Sequence, residues 1–202
     1  MASTIKVDTI DPPSGSGNIT LNRPIAGDGS NLTGIAIDGI TTSANATAIS
    51  IDANEIVTMP SQPAFSASMS DQTNLAADSH VKLLFNAEVF DQNADFNTST
   101  NTFTAPVYGR YLFTMYVEAA EIDNPTSQLR YDLNTSNDSM MEFSRTEPDV
   151  LNNADSRFGA CGAILANMDA NDTAHITIYA GNSANNQLDV YGMSRFEGVL
   201  IC

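Results

Sequence analysis

The chain has 202 residues and a formal net charge of −16, from 24 acidic against 8 basic side chains. That balance repels nucleic-acid phosphates and anionic lipid, so neither a nucleic-acid partner nor membrane insertion is expected. Hydrophobic residues at 42% allow a packed core and exclude wholesale disorder. The acidity reads first as solubility, with a cation-binding surface as the alternative.

The opening MASTIKVDTI has no apolar h-region, so no secretion signal is expected. Residues 1–60 hold no Phe, Tyr or Trp. Their Ile-rich snippets, such as Ile35-Ala36-Ile37-Asp38 and Ile49-Ser50-Ile51-Asp52, alternate with Gly/Ser/Asn turns. Each snippet puts two apolar side chains on one face of a short strand and ends in a turn-forming Asp. Such strands bury too little alone to offset their ordering entropy. The reading is a β-rich stalk shared between copies, with a disordered tail as the alternative. Met59-Pro60-Ser61-Gln62-Pro63 reads as a hinge, because two prolines interrupt ladder pairing.

Residues 61–202 read as the body. Its polarity comes from Asn, Ser, Thr and Asp, and no stretch shows a sustained helical period. Strands are expected near 64–68, 80–86, 101–105, 109–118, 127–133, 139–144, 158–167, 173–179 and 194–201, which makes an all-β sandwich or jelly roll. The closing strand is apolar on both faces, with Phe196, Gly198 and Leu200 on one and Val199 and Ile201 on the other. Cover is therefore expected on both sides. The longest apolar runs are too short to span a bilayer.

No catalytic set stands out, and the protein reads as a non-enzyme. His175 faces outward by alternation in TAHITIY, and His80 lies in AADSHVKLLF without oxyanion-loop glycines. Cys161 and Cys202 have no metal-ligand spacing, so two reduced thiols are expected, with Cys161 packed in a strand. Asp91, Asn93 and Asp95 begin like a Ca2+ loop. Phe96 stands where such a loop needs glycine, and Thr102 where it needs glutamate. Turn geometry alone accounts for these residues, so no cofactor is expected and Ca2+ is the alternative. Asp169 and Asp172 form a second acidic turn. Recognition residues are sought in loops on the rigid body. Arg145 and Arg157 in the polar stretch 134–157, and Tyr191 before the last strand, are the candidates.

One spacing is specific. Phe85, Asp91, Phe96, Phe103, Gly109, Tyr111 and Phe113 stand at fixed intervals, with Met115 where an aromatic is usual. Phe196, Gly198 and Leu200 follow in the closing strand. This resembles the C1q-like globular head of the C1q/tumour necrosis factor superfamily, over about 63–202. The resemblance implies a jelly-roll knob, a compact homotrimer, and first and last strands close to the threefold axis. GDGSNLTGI and ISIDANEIVTMP are similar to segments of bacteriophage tail fibres and other virion appendages. The expectation is a trimeric phage fibre or spike on the virion surface, made in the host cytoplasm. Residues 1–60 would bind another virion protein, and the knob a host-cell surface glycan or protein. The alternative is a capsid-decorating or head-fibre protein with a structural role. A secreted signalling ligand is the weaker third reading.

Overall fold

The computed structural model describes residues 48–122, 126–147, 156–181 and 187–202. The expected strand at Ile35–Asp38 lies outside them. Every regular element among them is a β-strand. They belong to one unit, Ala44–Cys202.

The first pair is a small hairpin, β1 (Ser50–Ile51) against β2 (Val57–Thr58), in register Ile51 with Val57. Its turn is built by Asp52, the residue expected to form it. Asp52 Oδ1 accepts from the Asn54 and Ile56 amides at 2.8 and 2.9 Å. That clamp holds Glu55 at φ 64°, a left-handed conformation non-glycine residues seldom take.

The body is a jelly-roll sandwich of two antiparallel sheets. The first sheet contains β7 (Phe96–Asn97), β8 (Thr102–Thr104), β13 (Thr173–Gly181), β10 (Gln128–Thr135) and β11 (Met141–Thr146), in that order, with β5 (Val81–Lys82) also on β13. The second runs β6 (Ala87–Asp91), β3 (Ala64–Ser68), β15 (Arg195–Leu200), β9 (Gly109–Ile122), β14 (Gln187–Val190) and β4 (Gln72–Ala76). The remaining strand, β12 (Ser156–Met168), pairs with β9.

Period-two patterning places the core. Along β9, Tyr111, Phe113, Met115, Val117 and Ala119 are buried while Leu112, Thr114, Tyr116 and Glu118 face out. From the facing sheet, Leu129, Tyr131, Leu133, Ala174, Ile176 and Ile178 meet them. The spaced rings converge at one end of this core. Phe65 of β3 stacks on Phe96 at 4.7 Å and on Phe103 at 5.1 Å, both from the opposite sheet. Phe196 meets Phe65 edge-on at 5.1 Å and Phe113 at 5.7 Å. Phe85 reaches Phe196 at 5.6 Å. The Tyr111 hydroxyl donates to the Val107 carbonyl at 2.9 Å, so this buried polar group is satisfied. Met115, at the place of the missing aromatic, is buried too.

Several expectations change. The strand expected near 80–86 is only β5, in the first sheet; Leu83 and Phe85 then drop into the core as the chain crosses to β6 in the second sheet, a strand that was not expected. Neither β4 nor β14 was legible, because their main ladder is to each other across a long sequence gap. Arg145, sought in a loop, sits in β11. Cys161 does lie in a strand but is exposed. Along β12 the buried residues are Ala160, Ala166 and Met168, and Cys161 shares the outward face with Leu165. Both faces of this stretch are apolar, so composition alone could not orient it. His175 faces outward as expected but is half-buried.

Gly198 is where the ring cluster leaves no room. A Cβ there would stand 2.5 Å from Phe65 Cε1 and 2.9 Å from Phe113 Cδ1. Gly198→Ala should therefore strain the stack and destabilise the knob by about 1–3 kcal/mol. The check is the shift of the urea unfolding midpoint at unchanged slope.

Candidate recognition surface

The two ends of the sandwich differ in what they carry. Strand β9 spans the body, roughly 45 Å at strand rise. Its Gly109 end adjoins the chain's entry at Pro63 and the C-terminal residues. The Leu200 amide donates to the Pro63 carbonyl at 3.0 Å, and the Arg110 amide to the Cys202 carbonyl at 2.8 Å. Its Ile122 end carries the opposite set: Ser156 pairs with Ile122, Gln128 with Gly181, and Leu129 with Thr146.

Toward this end, on the outward face of β9, the structure brings Arg157 and Tyr191 together. The guanidinium of Arg157 lies over the Tyr191 ring, 4.2 Å from its centroid. Arg157 Nη1 also donates to Glu118 Oε1 at 3.3 Å, and the Tyr116 hydroxyl donates to Glu118 Oε2 at 3.3 Å. Burial first, and the Glu118 carboxylate second, raise the Tyr116 hydroxyl above the ordinary phenol pKa. The Tyr191–Ser194 turn is pinned to β9. The Tyr191 amide donates to the Glu118 carbonyl at 2.9 Å, and the Glu118 amide to Ser194 Oγ at 3.1 Å. Ser194 Oγ donates in turn to the Tyr191 carbonyl at 2.7 Å. The result is a preorganised platform with an exposed cation stacked on a ring, a geometry suited to weak polar contacts. Glu118 is the member that sequence reasoning missed. Its signal, an outward acid in an apolar strand, names no partner.

Arg145 is not part of this platform. It opposes Arg130 across β10–β11, and its guanidinium donates twice to Glu142 Oε2, at 2.9 and 2.7 Å. Beside it is a cluster that the sequence did not single out. Asp132, fully buried, accepts from Arg130 Nε at 2.9 Å and faces His80 Nδ1 at 3.4 Å. Arg130 Nη2 lies 3.1 Å from His80 Nε2. Both His80 and Arg130 lie against Tyr179. Sequence spacing could not join residues fifty positions apart.

The acidic loop lies at the entry end. Asp91 accepts from the Asp95 amide at 3.1 Å and the Phe96 amide at 2.7 Å, which folds the loop back on itself. Asn93 Nδ2 donates to the Ser61 carbonyl at 2.9 Å. Burial first, and Asp91 second, raise the Asp95 carboxyl above its ordinary value. Asp172, in the other acidic turn, accepts from Ser136 Oγ at 2.7 Å, the Asp169 amide at 2.6 Å and Asn137 Nδ2. The Ser136 bond first, then the Asp169 amide, hold its pKa below the usual range.

His175 gives a pH signature. Burial first, and the Lys82 ammonium second, lower its imidazole below 6.5. The unfolded chain then takes a proton near 6.5 that the folded chain refuses until lower pH. The contribution of this residue is intact above 6.5 and lost as pH falls through that window. His175→Gln should flatten the fall in stability between about pH 7 and 5, read as urea midpoints across a pH series.

The C1q domain profile matches residues 64–201. Among solved structures, the globular domain of zebrafish complement 1qA protein is similar at 22% identity and a TM-score of 0.51, covering 70% of this chain and 98% of that one. Eiger TNF from S. frugiperda is similar at 11% identity and a TM-score of 0.50, covering 69% of this chain and 94% of that one. No curated protein sequence matches the chain.

Proposed function

Because this chain belongs to the C1q domain family, we propose that it is a trimeric adhesion knob on the surface of a bacteriophage particle. The observation that carries the reading is the polarity of the body. The chain enters at one end, beside Gly109 and Cys202, and the Arg157–Tyr191–Glu118 platform lies toward the other, on the outward face of β9 beyond the Leu112 and Thr114 positions. Domains of this family are generally non-enzymatic binding or structural modules, and adhesion needs no cofactor. Three copies on one stalk multiply a weak contact by effective concentration. The proposed ligand is a host-surface glycan or protein. The virion setting is supported by the fibre-like segments GDGSNLTGI and ISIDANEIVTMP. There residues 1–60 bind another virion protein.

Self-association has a surface to use. On the outward face of the second sheet, Leu165, Leu112 and Val199 form one row across β12, β9 and β15. Ala163, Thr114, Glu197 and Ser66 form the next. Leu165 is 57% exposed. Glu197 accepts from Ser66 Oγ at 2.9 Å and Thr114 Oγ1 at 3.2 Å, so the carboxylate within this face is held by neighbouring hydroxyls. A row of aliphatic side chains facing water is the pattern of a surface awaiting a partner.

Light scattering should give three times 21.5 kDa, and Leu165→Asp should shift the mass toward a single chain. A mass of one chain for the unaltered protein would sink the trimer.

For adhesion, fluorescent full-length protein is titrated onto host cells. Arg157→Ala and Tyr191→Ala should each weaken binding about tenfold, the scale of a hot-spot truncation. Unchanged binding would rule out the platform. Labelling on purified particles tests the virion setting: a capsid position without any cell binding replaces adhesion by decoration.

A further inference from the structure

The segment leading into the body carries an apolar surface that the sandwich does not use. Ile49, Ile51, Ile56, Val57 and Met59 are each 48–68% exposed. The β1–β2 hairpin among them has two residues per strand, far short of what a hairpin needs to stand alone in water. It is nevertheless clamped into shape by Asp52, and Ile51 and Val57 are register partners, so they share one face. At its root lies a cavity of about 630 Å³, walled by Met59, Pro63, Pro106, Val107, Ile201 and Cys202. Ala48 and Met59, which flank the hairpin, stand in that wall, while neither Ile51 nor Val57 does. The chain thus presents an aliphatic knob and, at the same end, a mainly apolar hole whose lining also includes Asn93 and Asp95, and its own knob does not fill its own hole.

We infer that the hairpin of one copy seats its Ile51–Val57 face in the cavity of the adjacent copy, so that the copies interlock in a collar at the entry end. This rests on the self-association proposed above and specifies how it is completed. Two observations favour this occupant. The cavity adjoins the outward face of the second sheet, because Val199 lies on that face and Ile201, on the same side just past the end of β15, stands in the cavity wall. A copy that covers the face therefore reaches the cavity. Each hairpin turn also carries Asp52 and Glu55. Hairpins packed only against one another would gather these carboxylates well within a Debye length. Seating the stem in a neighbour's cavity leaves the turns apart in water.

The test uses the full chain and its own C-terminal thiol. Cys202 is exposed and lines the cavity. In a Cys161→Ser background, Ile51→Cys is oxidised with copper phenanthroline and run on a non-reducing gel. Val57→Cys is the second probe should the first not fold. Expected are bands at two and three times 21.5 kDa that dithiothreitol collapses and that Cys202→Ser abolishes. Bands that survive Cys202→Ser would mean hairpin-to-hairpin contact and overturn the collar. A link confined to the single-chain band would overturn it too. Light scattering before oxidation separates the two claims. A trimer mass without the link to Cys202 defeats the collar alone, and a single-chain mass defeats the self-association on which it rests.

Discussion

Phe65 crosses from β3 to stack on Phe96 and Phe103 of the opposite sheet, and the closure of the sandwich turns on room for that ring. Gly198 supplies the room, since any side chain there would meet Phe65 and Phe113. The consequences spread outward. With Phe196 and Phe113 packed on the same cluster, β15 must lie between β3 and β9. That places the chain's last strand in the middle of a sheet. It also leaves Val199 and Ile201 on the surface opposite the core. Stacked and edge-on rings prefer particular offsets, so the cluster selects one mutual placement of the two sheets. Aliphatic packing alone would tolerate several.

A core fixed this way lets the two ends of the body specialise. The entry end holds the acidic Asp91 loop beside a mainly apolar cavity. The far end is polar and carries the Arg157–Tyr191 stack. Neither end needs the other for its local geometry. Asp91 spends its carboxylate on the amides of its own loop, whereas Glu118 fixes Arg157 through a strand whose position the core dictates. A rigid strand between two chemically distinct ends is what a module needs if it is to be anchored at one and to bind at the other.

The ring spacing was legible because it encodes burial, and every marked ring from Phe85 to Phe113, with Phe196, is buried. Phe65 completes the stack yet stands outside that spacing, so only the fold reveals it as the hub. Arg157 and Tyr191 could be named as candidates from their residue types. Their contact could not, because it depends on β12 and the Tyr191–Ser194 turn meeting at Glu118. Arg145 was misplaced because the polar run around it looks like loop, while β10 offers its ladder to any chain of suitable register. Cys161 was assigned to the interior because a strand apolar on both faces gives alternation nothing to act on. Asp132 is the sharpest case. An aspartate in a strand pattern reads as solvent-facing, yet Arg130 and His80 close over it. Tertiary contact overrode the pattern there.

The position of β3 has a mechanical side. The chain joins the body at Ala64, and β3 runs inward from there, antiparallel to both β15 and β6. A pull on the entry segment directed away from the body therefore acts along the strand axis. Ladder hydrogen bonds lie across that axis, so the five register pairs from Arg195–Ser68 to Val199–Ala64 would be sheared together and not peeled singly. The Phe65 ring, keyed between the sheets, would have to leave its stack before β3 could slide. A load carried between the entry segment and the body would thus strain the joint along its strongest direction.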